Sequence, residues 1–423
     1  MEATGVSSSP LSTSSSDDFA ASLDEELAAI SSEHGAHETK QDHDVKAQSC
    51  KRQRLNSSSD ECAHPSLIKG MCVKCGQMVD DDDVSAVALG YIHKDLKVGS
   101  EELARLRDKD LKSLFGKKKL YLVLDLDHTL LNSTQCQHIS PDEEYLTSQL
   151  QDLPDGNLFH VPSVHMFTKL RPFVRTFLKE ASSMFEMYIY TMGERAYAMK
   201  MAELLDPERI YFDSRVISKD DCTQKHQKGL DVVLGAESAV IILDDTEFVW
   251  QRHKENLVLM DRYHYFSSSG RSFGLNNRSL SELRTDESEP DGALATILEV
   301  LKCIHFLFFD PEGDGDLMGR DVRQLLKAVR GEVLNGCKLV FSHVWGMEEK
   351  PENQKLWKLA EELGASCCKE LDSSVTHVVS TDMRTEKSCW AVKHGKFLVH
   401  PRWLDTANFL WKRQPEENFA VGC

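Results

Sequence analysis

The chain has too little positive charge to form a broad nucleic-acid-binding face. It carries 50 Lys and Arg against 68 Asp and Glu, a formal net charge of -18, whereas such a face needs an excess of basic groups. Direct nucleic-acid contact is not expected, and large partners are expected to be met as proteins. Long hydrophobic runs are also missing. The longest apolar-looking stretch, residues 293–309, contains Glu299, Lys302 and His305 and is too short to span a bilayer, so no membrane segment is expected. The N-terminus has no basic region leading into an apolar one; it is acidic and Ser-rich instead. Without a secretory signal, the twelve cysteines read as free thiols in a reducing compartment. Large apolar groups are scarce over residues 1–60, which are rich in Ser, Asp, Glu and His. Such a tail cannot bury enough surface to offset the cost of ordering, and it is expected to be disordered. Within it, Lys51-Arg52-Gln53-Arg54 reads either as a nuclear-import signal or as a solvated charge run.

What is present is ordinary for a soluble protein with real cores: 28% charged and 41% hydrophobic residues. The length suggests two or three domains. The chain is organised around Leu120-Tyr121-Leu122-Val123-Leu124-Asp125-Leu126-Asp127-His128-Thr129, a short apolar strand running into two carboxylates spaced i, i+2. Alternation sends Asp125 and Asp127 to one side, and an open parallel sheet places its ligand crevice beyond the carboxyl ends of its strands. This arrangement suits phosphoryl transfer, with Asp125 as nucleophile and Asp127 as acid and base. Clustered carboxylates also repel an incoming phosphate, which calls for a magnesium ion. An acidic turn capping a helix would give the same local spelling.

The remaining parts follow in order. The apolar run Glu186-Met187-Tyr188-Ile189-Tyr190 ends in Thr191, and Ala239-Val240-Ile241-Ile242-Leu243 ends in Asp244-Asp245, with Lys228 between them. By charge, Thr191 and Lys228 are expected on the phosphate. Thr129 and Arg171 are candidate phosphate ligands as well, with a plain salt bridge as the alternative for Arg171 and surface charge for Lys228. Polar, irregular residues 132–163 read as an insertion overhanging the crevice, where substrate selection is expected. Residues 267–292 read as a linker or exposed loop, and two helices follow, near 293–309 and 320–330.

Upstream, Cys62-x-His64 and Cys72-x-x-Cys75-Gly76 pair soft ligands with a turn-forming glycine. The second pair has zinc-ribbon spacing, while the first has one residue between its ligands, so zinc stands beside plain reduced thiols as a reading. The segment precedes the first catalytic strand, and its loss is expected to leave turnover largely intact.

Leu124-Asp125-Leu126-Asp127-His128-Thr129-Leu130, Lys169-Leu170-Arg171-Pro172, Tyr190-Thr191-Met192-Gly193 and Asp244-Asp245-Thr246-Glu247-Phe248-Val249-Trp250 together resemble the haloacid-dehalogenase-type phosphatases acting on the C-terminal repeat domain (CTD) of RNA polymerase II. The similarity is to the branch that associates with transcription factor IIF, the plant CTD phosphatase-like proteins in particular. It implies a magnesium-dependent protein serine phosphatase, with other divalent ions such as manganese as substitutes. The metal would be held by Asp125, Asp244, Asp245 and the main-chain carbonyl of Asp127. The resemblance also implies an aspartyl-phosphate intermediate, the phosphorylated repeat domain as substrate, factor IIF as a further partner, transcription regulation, and work in the nucleus. Two rivals remain: a phosphatase for another nuclear phosphoprotein, and a scaffold with a vestigial catalytic fold.

The C-terminal segment resembles a BRCT domain through Gly364, Thr376-His377-Val378-Val379 and Trp403, the last read as a core aromatic. Ser342 and Lys387 match positions where phosphopeptide-binding BRCT domains hold phosphate, but the usual glycine after the serine is His343. Phosphopeptide binding and simple protein docking both stay open. The expected architecture is a tail (1–60), a Cys/His segment (61–87), a doubly wound α/β catalytic domain (88–270), a linker with helices (271–330) and a small α/β BRCT domain (331–423). The last is expected to act as a tethered module that raises the local substrate concentration.

Overall fold

The computed structural model describes residues 62–80, 85–149, 156–275, 277–310, 316–346 and 350–422. The expected disordered tail and its basic cluster lie outside them. The described chain opens with β1 (Ser66–Ile68), β2 (Met71–Cys72), β3 (Ala86–Ala88) and β4 (Leu96–Gly99), an antiparallel sheet in the order β2-β1-β4-β3. Helix α1 (Ser100–Gly116) leaves β4 directly and buries Leu103, Leu111, Leu114 and Phe115, one apolar stripe at helical spacing. The Cys/His segment therefore shares a sheet with the strand that leads into the catalytic unit, Leu67 lying opposite Lys97.

The catalytic sheet contains β5 (Leu120–Leu124), β9 (Phe185–Tyr190), β10 (Val216–Ile217), β11 (Val240–Asp244) and β12 (Leu257–Leu259). They run parallel in the order β10-β9-β5-β11-β12. Every residue of β5 and β11 is buried, as expected when helices cover both faces and strands read as continuous apolar runs. From β5 the chain builds outward first to β9 and later, on the other side, to β11. The carboxyl end of β5 is thus the point where the winding reverses and a crevice opens.

Between β5 and β9 lie β6 (Leu131–Gln135), β7 (Leu158–Val161) and β8 (Met166–Leu170), an antiparallel sheet in the order β6-β8-β7. The insertion expected to be irregular therefore contains a sheet, because β8 offers pairing edges to both neighbours. Helix α2 (Val174–Ala181) buries Val174, Phe177, Leu178 and Ala181 as its spacing predicts. It begins after Phe173 at φ 69, since Arg171 still continues the strand pairing by donating its backbone N–H to Leu130. Helix α3 (Arg195–Leu205) follows β9 and buries Tyr197, Met201 and Leu205 against the sheet.

Residues 267–292, expected as a linker, are seated on the catalytic unit. They carry the short helices α4 (Ser267–Ser272) and α5 (Leu280–Leu283). Fully buried Glu143 accepts from Ser267 N at 2.8 Å, Ser267 Oγ at 2.7 Å, Ser281 Oγ at 2.5 Å and Ser140 N at 3.0 Å. A composition that reads as solvated is here an internal polar network, with the Ser267 and Ser281 hydroxyls both held by the Glu143 carboxylate. Helices α6 (Ala293–Phe308) and α7 (Val322–Gly331) place Leu294, Ile297, Leu301, Ile304, Phe308 and Leu326 in the same hydrophobic core as β5, β9 and β11.

The C-terminal unit runs β13 (Lys338–Ser342), α8 (Lys355–Glu362), β14 (Ser366–Cys368), β15 (His377–Ser380), α9 (Glu386–Lys393), β16 (Phe397–Val399) and α10 (Arg402–Leu410). Its sheet is parallel, ordered β14-β13-β15-β16, and Trp403 is fully buried in its core. The unit does not hang from a flexible tether. Trp411 joins the catalytic core cluster, and Arg330 bonds Asn408 at 2.8 Å and Glu362 at 3.0 Å. Gly364, at φ +90, lies so close to the end of α7 that a Cβ would sit 1.7 Å from the Gly331 carbonyl oxygen. Only glycine allows that approach.

Candidate active site

Three parallel strands deliver the polar groups. Asp125 follows β5, Thr191 follows β9, and Asp244 ends β11 with Asp245 next. These residues, with Asp127, Tyr197 and Lys228, line a cleft of about 510 Å³. Lys228 reaches it from the loop before β11, where its backbone N–H donates to Val249. Its Nζ lies 2.6 Å from Asp125 Oδ1 and 2.6 Å from Asp244 Oδ2. Asp244 is fixed further by Trp250 Nε1 at 2.8 Å and the backbone N–H of Thr246 at 2.8 Å. Asp245 accepts from Arg262 Nε at 2.7 Å. Asp127 Oδ1 accepts from the Tyr197 hydroxyl at 2.5 Å. Tyr197 packs so tightly on Gly193 that a Cβ there would meet its ring at 2.7 Å.

Burial dominates the electrostatics. It raises the Asp125 carboxyl well above the usual range, against Lys228 and with help from Asp244, Asp245 and Asp127. Burial likewise pushes Asp127 up to about 6, although Tyr197 donates to it; a carboxyl poised there can both give and take a proton near neutrality. Burial works against the Lys228 charge, but Asp125 and Asp244 outweigh it and hold the ammonium above its ordinary value. The carboxylates of Asp125, Asp127, Asp244 and Asp245 thus converge in a cleft that Lys228 and Arg271 also line, and Arg262 pairs with Asp245. Oxygens of Asp125, Asp244 and Asp245 lie within 4.8 Å of one another, and an all-oxygen donor set fits a hard ion.

Two expected phosphate ligands sit elsewhere. Arg171 is fully buried outside the cleft lining; it pairs in a fork with Glu287, Nη2–Oε1 at 2.7 Å and Nε–Oε2 at 2.9 Å. It also donates to the carbonyls of Thr129 at 3.1 Å and Asp261 at 3.0 Å. The phosphate role is corrected to the salt-bridge reading: Arg171 ties the loop after Asp127 to residues near 261 and 287. Thr129 is also fully buried and does not line the cleft, because the chain turns inward as Thr129 N–H and Leu130 N–H bond back to Leu126.

Sequence reasoning missed Tyr197 and the rim residues Ser268, Arg271 and Phe273 on and beyond α4. A buried tyrosine hydroxyl needs a partner, which was the available signal for Tyr197. For the rim there was none, since its polar spelling matches a linker. The insertion does reach the cleft, through Ser133, Thr134, Gln135 and His138.

In the BRCT unit both singled-out side chains are engaged internally. Ser342 is buried and donates to Thr385 Oγ1 at 2.8 Å, and Lys387 Nζ donates to the carbonyls of Phe341 at 3.2 Å and Lys369 at 2.8 Å. His343 adopts φ 54, the left-handed conformation a glycine takes without strain. Cys62, His64, Cys72 and Cys75 are brought together at the β1–β2 hairpin.

The profile of the NLI interacting factor-like phosphatases matches residues 120–285, and that of the twin BRCT domain matches residues 342–403. The chain is 54% identical over 430 residues to RNA polymerase II C-terminal domain phosphatase-like 4 of Arabidopsis thaliana, covering 98% of this chain and 97% of that one. It is 40% identical over 353 residues to phosphatase-like 3 of the same plant, covering 80% of this chain and 27% of the longer relative. A solved structure of fission yeast RNA polymerase II CTD phosphatase bound to beryllium fluoride matches with a TM-score of 0.58 at 26% identity, over 75% of this chain and 100% of that chain. With that identity running nearly end to end, the chain belongs to the RNA polymerase II C-terminal domain phosphatase-like family of phosphatases.

Proposed function

We propose that this phosphatase acts in the nucleus on phosphoserines of the RNA polymerase II C-terminal repeat domain, thereby regulating transcription, through a phosphoryl-enzyme formed on Asp125. The observation that carries this reading is a single cleft holding Asp125 against Lys228 beside Asp127, whose carboxyl is poised near 6. Asp125 attacks phosphorus as the bond to the serine oxygen breaks, and protonated Asp127 gives its proton to that oxygen. Asp127 then takes a proton from the attacking water, phosphate leaves, and Asp125 is restored. Thr191 and Lys228 donate to the phosphoryl oxygens. Asp125, Asp244, Asp245 and the Asp127 carbonyl would hold magnesium, which supplies charge neutralisation for phosphate entry and transfer. Family membership supports the polymerase repeat as substrate, and the exposed rim residues Arg271 and Ser272 leave room for a polymer. Association with general transcription factor IIF rests on the resemblance alone.

The test is turnover of repeat peptides phosphorylated at single serines, beside unrelated phosphopeptides and a generic aryl phosphate. Preference for repeat phosphoserine is expected; equal rates on all peptides would remove the substrate from this reading while leaving the chemistry intact.

A further inference from the structure

The first nineteen residues of the described chain, 62–80, bury only Leu67 and Cys72, each 1% exposed. Met71, Val73 and Met78 lie open at 49, 61 and 71%. Strands of three and two residues with so little apolar burial do not hold themselves together in water. The hairpin nevertheless has a defined tip. Cys72 N–H donates to the Gln77 carbonyl at 2.8 Å, Gly76 N–H to the Cys72 carbonyl at 2.9 Å, and Lys74 N–H points at Cys72 Sγ from 3.4 Å. Gly76 takes φ +72, which closes the turn.

The side chains at this tip have the separations a metal requires. Cys62 Sγ lies 3.9 Å from Cys72 Sγ, and Cys75 Sγ lies 3.4 Å from His64 Nδ1. All four ligand atoms fall within 4.8 Å of one another. A tetrahedral zinc with the usual bond lengths puts sulfur about 3.8 Å from sulfur and about 3.6 Å from nitrogen. A disulfide would need about 2.05 Å, so the thiols are close without being joined. Three thiols and an imidazole form a closed soft set with no carboxylate, unlike the all-oxygen catalytic cluster.

The hairpin is also wired to the active site. Strand β1 pairs with β4, and Gly99 N–H donates to the Pro65 carbonyl at 2.9 Å, one residue beyond His64. From the same sheet and the helix it launches, two side chains grip the segment that follows Lys228. The Tyr91 hydroxyl donates to the Val232 carbonyl at 3.0 Å, and Arg107 Nη2 donates to the carbonyls of Leu230 at 2.9 Å, Asp231 at 2.7 Å and Val233 at 2.8 Å. We propose that Cys62, His64, Cys72 and Cys75 bind one structural zinc ion, which fastens the hairpin to β4 and so holds the Tyr91 and Arg107 clamp on the segment after Lys228.

Metal analysis of the full chain purified without chelator should find about one zinc per chain, falling below about 0.1 in a Cys72→Ser, Cys75→Ser variant. Cobalt exchanged into the unmutated protein should give thiolate-to-metal charge-transfer and tetrahedral ligand-field bands, a readout needing no variant. Hydrogen exchange should speed up in the variant over residues 62–107 and over 229–233. Zinc-free protein whose cysteines here alkylate freely, or a variant retaining its zinc, overturns the site. Bound zinc with exchange at 229–233 unchanged by its loss overturns the clamp.

Discussion

At Asp127 a single hydrogen bond links the carboxylate proposed as acid and base to helix α3, through the Tyr197 hydroxyl. Tyr197→Phe keeps the ring packed on Gly193 and removes that donor, together with the hydroxyl's hydrogen bond to Ser133 Oγ at 2.9 Å. Losing one such bond is worth roughly 1–1.5 kcal/mol, so kcat on an aryl phosphate should fall about tenfold with little change in KM. An unchanged kcat would mean that Asp127 is oriented by something else. Asp125→Asn should act differently, because an amide is a poor nucleophile and a weaker ligand. A loss of about 10²-fold or more is expected in metal-dependent turnover, and beryllium fluoride should no longer protect the enzyme. A variant retaining a near-normal rate rules out the aspartyl-phosphate route.

At the scale of elements, the cleft rim is held by one carboxylate. Glu143 fastens α4 and α5 through Ser267 and Ser281. Burial works against its charge, but the hydrogen bonds from Ser281, Ser267 and Ser140 outweigh it and hold the carboxyl below its ordinary value. A group depressed in the folded state contributes stability that is full above its unfolded value, about 4.3, and is lost as pH falls through the lower folded value. Glu143→Ala should cost roughly 1–3 kcal/mol at neutral pH by leaving buried donors unmatched. The cost should shrink below about pH 4, and hydrogen exchange over 267–283 should rise. A variant whose stability deficit is the same at pH 7 and at low pH contradicts the charged-carboxylate account.

Across the whole molecule, the seating of the BRCT unit changes what its removal should do. A tethered docking module would leave aryl phosphate turnover untouched when deleted. Here Trp411, 7% exposed, lies in the catalytic core cluster beside α6, and Gly364 meets the end of α7. Trp411→Ala should therefore cost about 3–5 kcal/mol and lower the melting temperature of the catalytic unit by on the order of 10 °C. Deleting residues 331–423 should impair both aryl phosphate and repeat-peptide turnover. Undiminished aryl phosphate turnover after deletion, with a raised KM on the polymer alone, restores the tethered-module picture.

The sequence by itself determined the strands and what stands at their ends. Leu120–Leu124, Phe185–Tyr190 and Val240–Asp244 are apolar runs legible without neighbours, and each delivers its polar group at a residue the chain already spells. The alternation of the BRCT unit was equally legible, since Trp403 and the β15 run need a core wherever they are placed. Tertiary structure alone decided partnerships between residues far apart in the chain. Arg171 could grip phosphate or pair with a carboxylate, and only the position of Glu287, 116 residues later, settled it. Ser267 and Ser281 spell part of a linker until Glu143 takes their hydroxyls, and the helices after them spell independent amphipathic segments until the catalytic core takes their apolar faces. A polar or apolar side chain declares its need for a partner locally, but which partner meets that need depends on distance in space, which no local pattern encodes.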